Sequence, residues 1–283
     1  MERIVIVGTG LIGSSVGLAL RAIEFPGTIT GIDSNPEERK TALKMEAIDE
    51  MVDDAPSGMK ALEAADVILL AVPVLAILDW IKRLAPILKP HQLLTDVGST
   101  KSAIADLAAT LYNAPGQPQF LPGHPMAGKE SGGAALAEAR LLESAMWLFT
   151  PLKEETPATR EWRSWINKIG CRSMDMDPIR HDKICAWVSH LPQFVATAMA
   201  ALFEDEFGDT REIAAIGGRA LREMTRLGAS PYSMWRDVAM TNTDNVAATL
   251  YALEQRLTHL RENLRTPELR DEFQRANHFR ARR

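Results

Sequence analysis

Cysteine is scarce in this sequence, with two residues in 283, Cys171 and Cys185, and no metal-ligand spacing around either. A disulfide framework is excluded, a reducing cytoplasm is the expected compartment, and both thiols read as buried packing residues. Positive charge is not in excess either. Lysine and arginine total 32 against 37 acidic residues, a net charge of −5, so no dominant basic face is implied for a nucleic-acid backbone. The basic cluster at residues 280–283 reads as a solvated tail. Long apolar runs are missing: residues 67–78 are broken by Pro73 and are too short to cross a bilayer. No signal-like segment precedes the first strand-like run, which begins almost at Met1, and no internal repeat or low-complexity stretch stands out. The expectation is a cytoplasmic chain that binds a small molecule and neither nucleic acid, membrane nor metal.

Hydrophobic residues make up 46% and charged residues 24%, ordinary for a globular protein. A length of 283 residues is long for one hydrophobic core, so two domains are expected. The β-branched run Ile4-Val5-Ile6-Val7 reads as a strand buried on both faces, and it leads directly into Gly8, Gly10 and Gly13 in the spacing G-x-G-x-x-G. Gly8 permits a tight turn, Gly10 lets a pyrophosphate approach bare backbone beside Leu11 and Ile12, and Gly13 lets the next helix pack closely on the strand. The anion is received by the helix N-terminus, where unpaired N–H groups and the dipole favour negative charge.

A second strand, residues 28–33, ends in Asp33, 20 residues beyond Gly13, where a ribose-binding acid belongs. A carboxylate there accepts bonds from ribose hydroxyls and repels a 2′-phosphate, which favours NAD over NADP, with Arg39 near enough in sequence to soften the preference. The competing reading is a glycine-rich turn of another α/β protein in which Asp33 only caps a helix.

Residues 36–47 read as a helix with Asn35 as cap and Pro36 at its first position. A strand over 65–73 follows, and its end, Val72-Pro73, is expected to face the cofactor because ligands lie outside the carboxyl ends of such strands. Helix 75–84, strand 93–99 and helix 100–111 continue the alternation of a doubly wound parallel sheet. The sheet is expected to continue through 119–122 and 145–150, with helix 158–169 leading to a last strand near 171–176. Beyond Pro178 apolar spacing becomes helical, over 179–203, 210–226, 233–265 and 267–278. The organisation expected is an α/β dinucleotide-binding domain, 1–175, and an all-helical domain, 176–283.

Three places combine polar side chains with sheet-end or helix geometry. Ser99 lies where strand gives way to helix, as either a functional hydroxyl or an N-cap. His124 sits in the loop 121–130, stiffened by two prolines and two glycines, which suggests a placed imidazole; a structural histidine is the other reading. Arg222 and Arg226, four apart, are neighbours on one helix face, where they bind a carboxylate or only solvent and Glu223. On the helix 179–203, His190, Gln193 and Thr197 form a polar stripe suited to a substrate pocket. The rest of that helix is apolar around most of its circumference, so it should form an interdomain or intersubunit core, kinked at Pro192.

Together Gly8-Thr-Gly-Leu-Ile-Gly-Ser-Ser15, Thr95-Asp-Val-Gly-Ser-Thr-Lys101, Gly123-His-Pro-Met-Ala-Gly128, Val188-Ser-His-Leu-Pro192 and Arg222-Glu-Met-Thr-Arg226 with Met234-Trp235 resemble the prephenate/arogenate dehydrogenase family of tyrosine biosynthesis. The motifs stand in the family's order and span nearly the whole chain. The resemblance implies a Rossmann domain followed by a helical dimerisation domain, hence a homodimer. It implies NAD-dependent oxidative decarboxylation of prephenate: hydride leaves the carbinol carbon, the hydroxyl proton needs an acceptor, and loss of carbon dioxide aromatises the ring to 4-hydroxyphenylpyruvate. By the same resemblance a neutral His124 accepts the hydroxyl's hydrogen bond, Ser99 orients that imidazole, Arg226 pairs with the ring carboxylate and His190 helps hold the side chain. Arg222 and Glu223 match positions lining the entrance near the subunit boundary.

Two departures bear on substrate. Lys129 stands where many relatives have a small hydroxyl residue, and it would supply an extra cation or point to water. Gln193 stands where many have histidine, which alters side-chain recognition and keeps arogenate as an alternative substrate. No segment is left over for a regulatory ACT domain or a fused chorismate mutase, so a monofunctional enzyme is expected. The two halves alone would also suit another NAD(P)-linked β-hydroxyacid dehydrogenase, an imine reductase or a non-catalytic dinucleotide sensor, but those give no reason for the Gly-His-Pro-Met-Ala-Gly loop.

Overall fold

The computed structural model describes the chain apart from residues 54, 55, 113, 115 and 283. Strand and helix alternate through β1 (Arg3–Val7), α1 (Leu11–Ala22), β2 (Thr28–Ile32), α2 (Pro36–Lys44), β3 (Glu50–Val52), α3 (Pro56–Ala64), β4 (Val67–Leu70), α4 (Val74–Leu84), β5 (Leu93–Asp96), α5 (Ser102–Tyr112) and β6 (Gln119–Leu121). The strands pair in the order β3-β2-β1-β4-β5-β6, all parallel. In this doubly wound order the winding reverses between β1 and β4 and opens a crevice at their carboxyl ends. Alternation along β1 builds a core on each face: Ile4 and Ile6 pack with Val16 and Leu20, Val5 and Val7 with Ile68, Leu70 and Ile77. Asn35 caps α2 as expected, accepting the Glu37 N–H at 3.0 Å. β3 and α3 add to the elements expected; β3 is three residues long with no buried member, so it carries no apolar period.

The single sheet expected through 119–150 is instead two. β7 (Gly123–Pro125) runs antiparallel to β8 (Met146–Phe149), β8 pairs parallel with β9 (Arg172–Asp175), and these three form a separate sheet. The reason lies at Pro122 and Gly123. Proline has no N–H to extend the β6 ladder, and the Gly123 N–H turns to the Asp96 carboxylate 3.2 Å away. β5 ends at Asp96, short of the expected 99, because the same carboxylate accepts the Gly98 N–H at 2.7 Å and turns the chain. α6 (Pro157–Lys168) lies over the small sheet through Trp162 and Ile166.

After β9 every described element is helical: α7 (Pro178–Cys185), a π-helical turn (Ala186–His190), α8 (Leu191–Phe207), α9 (Arg211–Ile216), α10 (Arg219–Thr225), a 3₁₀ turn (Arg226–Ala229), α11 (Tyr232–Thr241), α12 (Thr243–Glu262) and α13 (Glu268–Ala281). The helix expected over 210–226 is interrupted at Gly217-Gly218, and that over 233–265 at Asn242. α13 carries the basic end of the chain, with Arg283 outside the described residues. The irregularity expected at Pro192 precedes it. Residues 186–190 take the π form, with the Leu191 N–H bonded to the Ala186 carbonyl oxygen, so the regular ladder is already interrupted where Pro192 has no N–H to give.

The run Pro178–Phe207 is long and apolar enough, by length and composition, to cross a membrane. Four polar residues along it, His181, Asp182, His190 and Gln193, are nevertheless buried and hydrogen-bonded to other elements of the chain. Its other side leaves Trp187, Val188 and Leu202 exposed on the single chain.

Two carboxylates from the helical half cap helices of the nucleotide half. Asp237 of α11 accepts the Leu75 N–H at 3.1 Å in the first turn of α4. Asp182 of α7 accepts the Lys101 and Ser102 N–H groups at 2.7 and 2.8 Å at the start of α5. A cap of this kind contributes about 0.5–2 kcal/mol, and these two bind the halves together at the carboxyl edge of the sheet.

Candidate active site

The glycine loop divides into two packing glycines and one open one. Gly8 has φ +97°, and a Cβ there would lie 2.3 Å from the Ala71 carbonyl oxygen and 2.7 Å from Val72 Cγ1. A Cβ on Gly13 would lie 2.0 Å from the Gly8 carbonyl oxygen. On Gly10 it would meet nothing within 4 Å, at the head of a helix that no side chain caps. That bare face, flanked by buried Leu11 and half-buried Ile12, suits a pyrophosphate. Val72 backs the loop, and Pro73, exposed, opens α4. Asp33 follows β2, with Oδ2 accepting the Thr9 N–H at 2.8 Å and Oδ1 the Asn35 N–H at 2.9 Å. Oδ1 keeps a lone pair for a ribose hydroxyl. Arg39 donates to the Asp33 carbonyl oxygen, which ties the nearest cation to backbone. These residues fit a dinucleotide.

His124 lies mid-strand in β7, opposite Leu148. Gly123 before it is required by contact: a Cβ would fall 2.6 Å from the Trp147 indole nitrogen. The imidazole is buried, and its Nδ1 is 2.9 Å from Nε2 of His181, whose own Nδ1 is 2.9 Å from Asp182 Oδ1. Behind this chain lies a fully buried ion pair, Lys101 with Asp96. Burial lowers Lys101 and raises Asp96, and their mutual attraction opposes both shifts. Burial, with the Lys101 cation and the neighbouring rings of His181 and His190 also disfavouring a further positive charge, holds the His124 pKa well below its ordinary value, so the ring is neutral at pH 7. Burial also pushes the Cys185 thiol up to about 12, and its sulfur is 3.5 Å from His181 Nε2. Donor atoms of His124, His181 and Cys185 lie within 4.8 Å of one another, a trio that sequence spacing does not reveal. Ser99, expected to orient His124, makes no hydrogen bond among the described residues and does not cap α5, which starts at Ser102; the ring's partner is His181.

Arg226 begins the 3₁₀ turn that follows α10, which closes at Thr225. Its guanidinium pairs with Glu130, in the same loop as His124. Arg222 is exposed and donates to the Gly217 carbonyl oxygen at 3.1 Å, while Glu223 pairs with Arg219. Lys129, partly exposed, pairs with Glu138 and donates to the Leu136 carbonyl oxygen. Buried His190 has Nδ1 3.3 Å from Asn242 Nδ2, its Nε2 has no partner, and its ring meets Trp235 edge-on. Burial lowers its pKa to about 4. Gln193 donates to the Leu227 carbonyl oxygen at 2.7 Å and accepts from Ser230 Oγ at 3.1 Å. Its amide holds the turn that carries Arg226.

The structure thus joins His124 to the helical half through His181 and Arg226 to the His124 loop through Glu130. Sequence reasoning missed His181, Asp182, Asp96, Lys101, Glu130 and Asn242 as members of this cluster. A signal existed for some of them: Asp96 and Lys101 lie inside the Thr-Asp-Val-Gly-Ser-Thr-Lys motif, and a His-Asp pair opens an apolar helix.

Residues 16–174 match the family model for the nucleotide-binding domain of prephenate dehydrogenase, and residues 177–278 that for its dimerization domain. The chain is 35% identical over 250 residues to the prephenate dehydrogenase of Bacillus subtilis, covering 87% of this chain and 65% of that protein. It therefore spans just under two thirds of that relative's length. It is 31% identical over 269 residues to the cyclohexadienyl dehydrogenase of Zymomonas mobilis, covering 94% and 88%. Among solved structures, the prephenate dehydrogenase of Aquifex aeolicus in complex with hydroxyphenyl propionate and NAD+ superimposes with a TM-score of 0.89 at 28% identity, covering 100% and 98% of the two chains. Synechocystis arogenate dehydrogenase gives 0.78 at 28% identity, covering 99% of each.

Proposed function

The chain belongs to the prephenate dehydrogenase family, and on that premise we propose that it catalyses the NAD-dependent oxidative decarboxylation of prephenate to 4-hydroxyphenylpyruvate. The observation that carries the reading is a buried, neutral His124, tethered by the Gly123–Asp96 bond to the carboxyl end of β5, on the same edge of the sheet as the open glycine loop that follows β1. When bound, the nicotinamide supplies the hydride acceptor. A neutral imidazole accepts the hydroxyl proton as hydride leaves the same carbon. Arg226 pairs with the ring carboxylate until it leaves as carbon dioxide, and the Glu130 contact holds the guanidinium at the mouth of the His124 loop before substrate arrives. His190, with Nε2 unpartnered inside the protein, receives the side chain; Lys129 is engaged with Glu138 and acts on the loop rather than on substrate. Asp33 selects NAD.

A homodimer is supported by the match to a dimerization domain and by the exposed Trp187, Val188 and Leu202 on one helical run. The free, buried cysteines support a reducing cytoplasm. Arogenate is the second reading, favoured by the neutral Gln193 and by the cyclohexadienyl and arogenate dehydrogenases among its relatives. The test mixes purified protein with NAD and either prephenate or arogenate while NADH and carbon dioxide are followed. Turnover of prephenate is expected; no turnover of either substrate under conditions where NAD binds overturns the reading.

A further inference from the structure

The sequence motifs leave His181 and Asp182 without a task, yet the fold buries both completely against the proposed proton acceptor. We infer that they are positioning residues: the Asp182 carboxylate fixes the tautomer of His181, and His181 fixes that of His124, so that His124 presents a bare Nε2 to the substrate. The last step rests on the function proposed above; the tautomer chain does not.

Proton accounting along the chain leaves one solution. Asp182 accepts the Lys101 N–H at 2.7 Å and the Ser102 N–H at 2.8 Å. Burial would raise its pKa, but hydrogen bonds from His181, Ser102 and the Lys101 amide outweigh it, so the group stays ionised and is an acceptor only. The proton between Asp182 Oδ1 and His181 Nδ1, 2.9 Å apart, therefore sits on Nδ1. Burial keeps His181 neutral at pH 7, against the pull of Asp182 and with the Lys101 cation reinforcing it. A neutral imidazole protonated at Nδ1 has a bare Nε2. That nitrogen lies 2.9 Å from His124 Nδ1. Two neutral rings share one proton across such a contact, so His124 Nδ1 supplies it, and the Cys185 thiol 3.5 Å away is a weak second donor to the same atom. His124 is then left with its lone pair on Nε2.

Free imidazole side chains prefer the opposite tautomer, with hydrogen on Nε2, which would donate to a substrate hydroxyl and accept nothing from it. The pair of residues on α7 thus reverses an intrinsic preference across the domain boundary. When His124 takes the substrate proton it becomes an imidazolium, and its Nδ1–H to His181 becomes a charge-assisted bond that strengthens as the reaction proceeds. No atom is transferred beyond His124: the proton moves from substrate oxygen to Nε2, and the relay only orients.

The test has two arms. Long-range proton–nitrogen NMR correlation on protein labelled with ¹⁵N in its six histidines reads each tautomer directly, with His124 assigned from its replacement by asparagine. The expected result is His124 protonated at Nδ1 and not at Nε2 at pH 7; the Nε2–H form in the wild-type protein overturns the proposal, and that result needs no substrate to turn over. In the second arm, His181→Phe lowers kcat by roughly 10–100-fold, the worth of one hydrogen bond to a charged group. KM changes little, and the His124 population shifts to Nε2–H. His181→Gln, whose amide oxygen restores an acceptor, recovers most of the loss. A wild-type kcat in His181→Phe, or equal losses in both variants with an unmoved tautomer, overturns it. Wild-type protein inactive on prephenate and arogenate refutes the function instead, and leaves the NMR arm standing.

Discussion

Alanine at Gly10 and alanine at Gly13 are the same chemical change three residues apart, yet the geometry separates their consequences. At Gly10 the backbone angles, φ −71° and ψ −158°, suit any L residue, and a Cβ meets nothing within 4 Å. The apo fold loses only the difference between glycine and alanine as a helix cap, about 0.5–1 kcal/mol. The methyl fills the space offered to the pyrophosphate, however, and one unwanted methyl in a filled contact costs ~1–3 kcal/mol, which weakens NAD about 5–150-fold. At Gly13 the Cβ would sit 2.0 Å from the Gly8 carbonyl oxygen and 2.9 Å from Ile6 Cγ2. Backbone cannot yield, so α1 must shift off β1. That overpacking costs ~1–3 kcal/mol, a fall in Tm of roughly 2–5 °C for a chain of this size. Thermal unfolding without cofactor and calorimetric titration with NAD distinguish the two. Wild-type NAD affinity in Gly10→Ala, or a Tm loss there equal to that of Gly13→Ala, would refute the assignment of the open face.

Acid should unfold the protein through its buried histidines. Burial lowers the pKa of His124, His181 and His190, the last from 6.5 to about 4. The unfolded chain therefore takes up protons first, and stability complete above about pH 6.5 is lost as pH falls toward the folded values, by about 1.4 kcal/mol per pH unit per histidine. Tm measured from pH 7 to 4.5 should drop steeply below 6.5, less so in His190→Gln; a flat profile contradicts the burial argument. Arg226→Ala should raise KM for prephenate about 10–150-fold, the loss of a charge-assisted contact of ~1.5–3 kcal/mol, with a smaller effect on kcat; an unchanged KM would mean the arginine serves only Glu130. Asp33→Ala should relax discrimination against NADP in steady-state assays, and an unaltered preference would show that another group reads the ribose.

The nucleotide half was legible because its information is local. A β-branched run, three glycines and an acid 20 residues on each act within one strand–helix–strand unit, and Gly8, Gly13 and Asp33 occupy the places their spacing predicts. Element types followed from apolar period wherever strands were buried; β3, short and without a buried residue, left no period to read. The small sheet escaped because the chain leaves the main one through a side-chain bond, Gly123 to Asp96, which no periodicity records.

The cluster around His124 shows the same division more sharply. Its motif residues could be picked out one by one, but which ring nitrogen faces which partner depends on contacts across 57 residues between His124 and His181. Helix limits likewise put Arg226 in the 3₁₀ turn after α10, where it pairs with Glu130, and tie the Gln193 amide to that same turn. Short-range constraints, β-branching, glycine freedom and helical period, are written in neighbouring residues and can be read from them. Partnerships between buried polar groups are set by which donors and acceptors remain unpaired once all elements have packed, and only the assembled chain holds that answer.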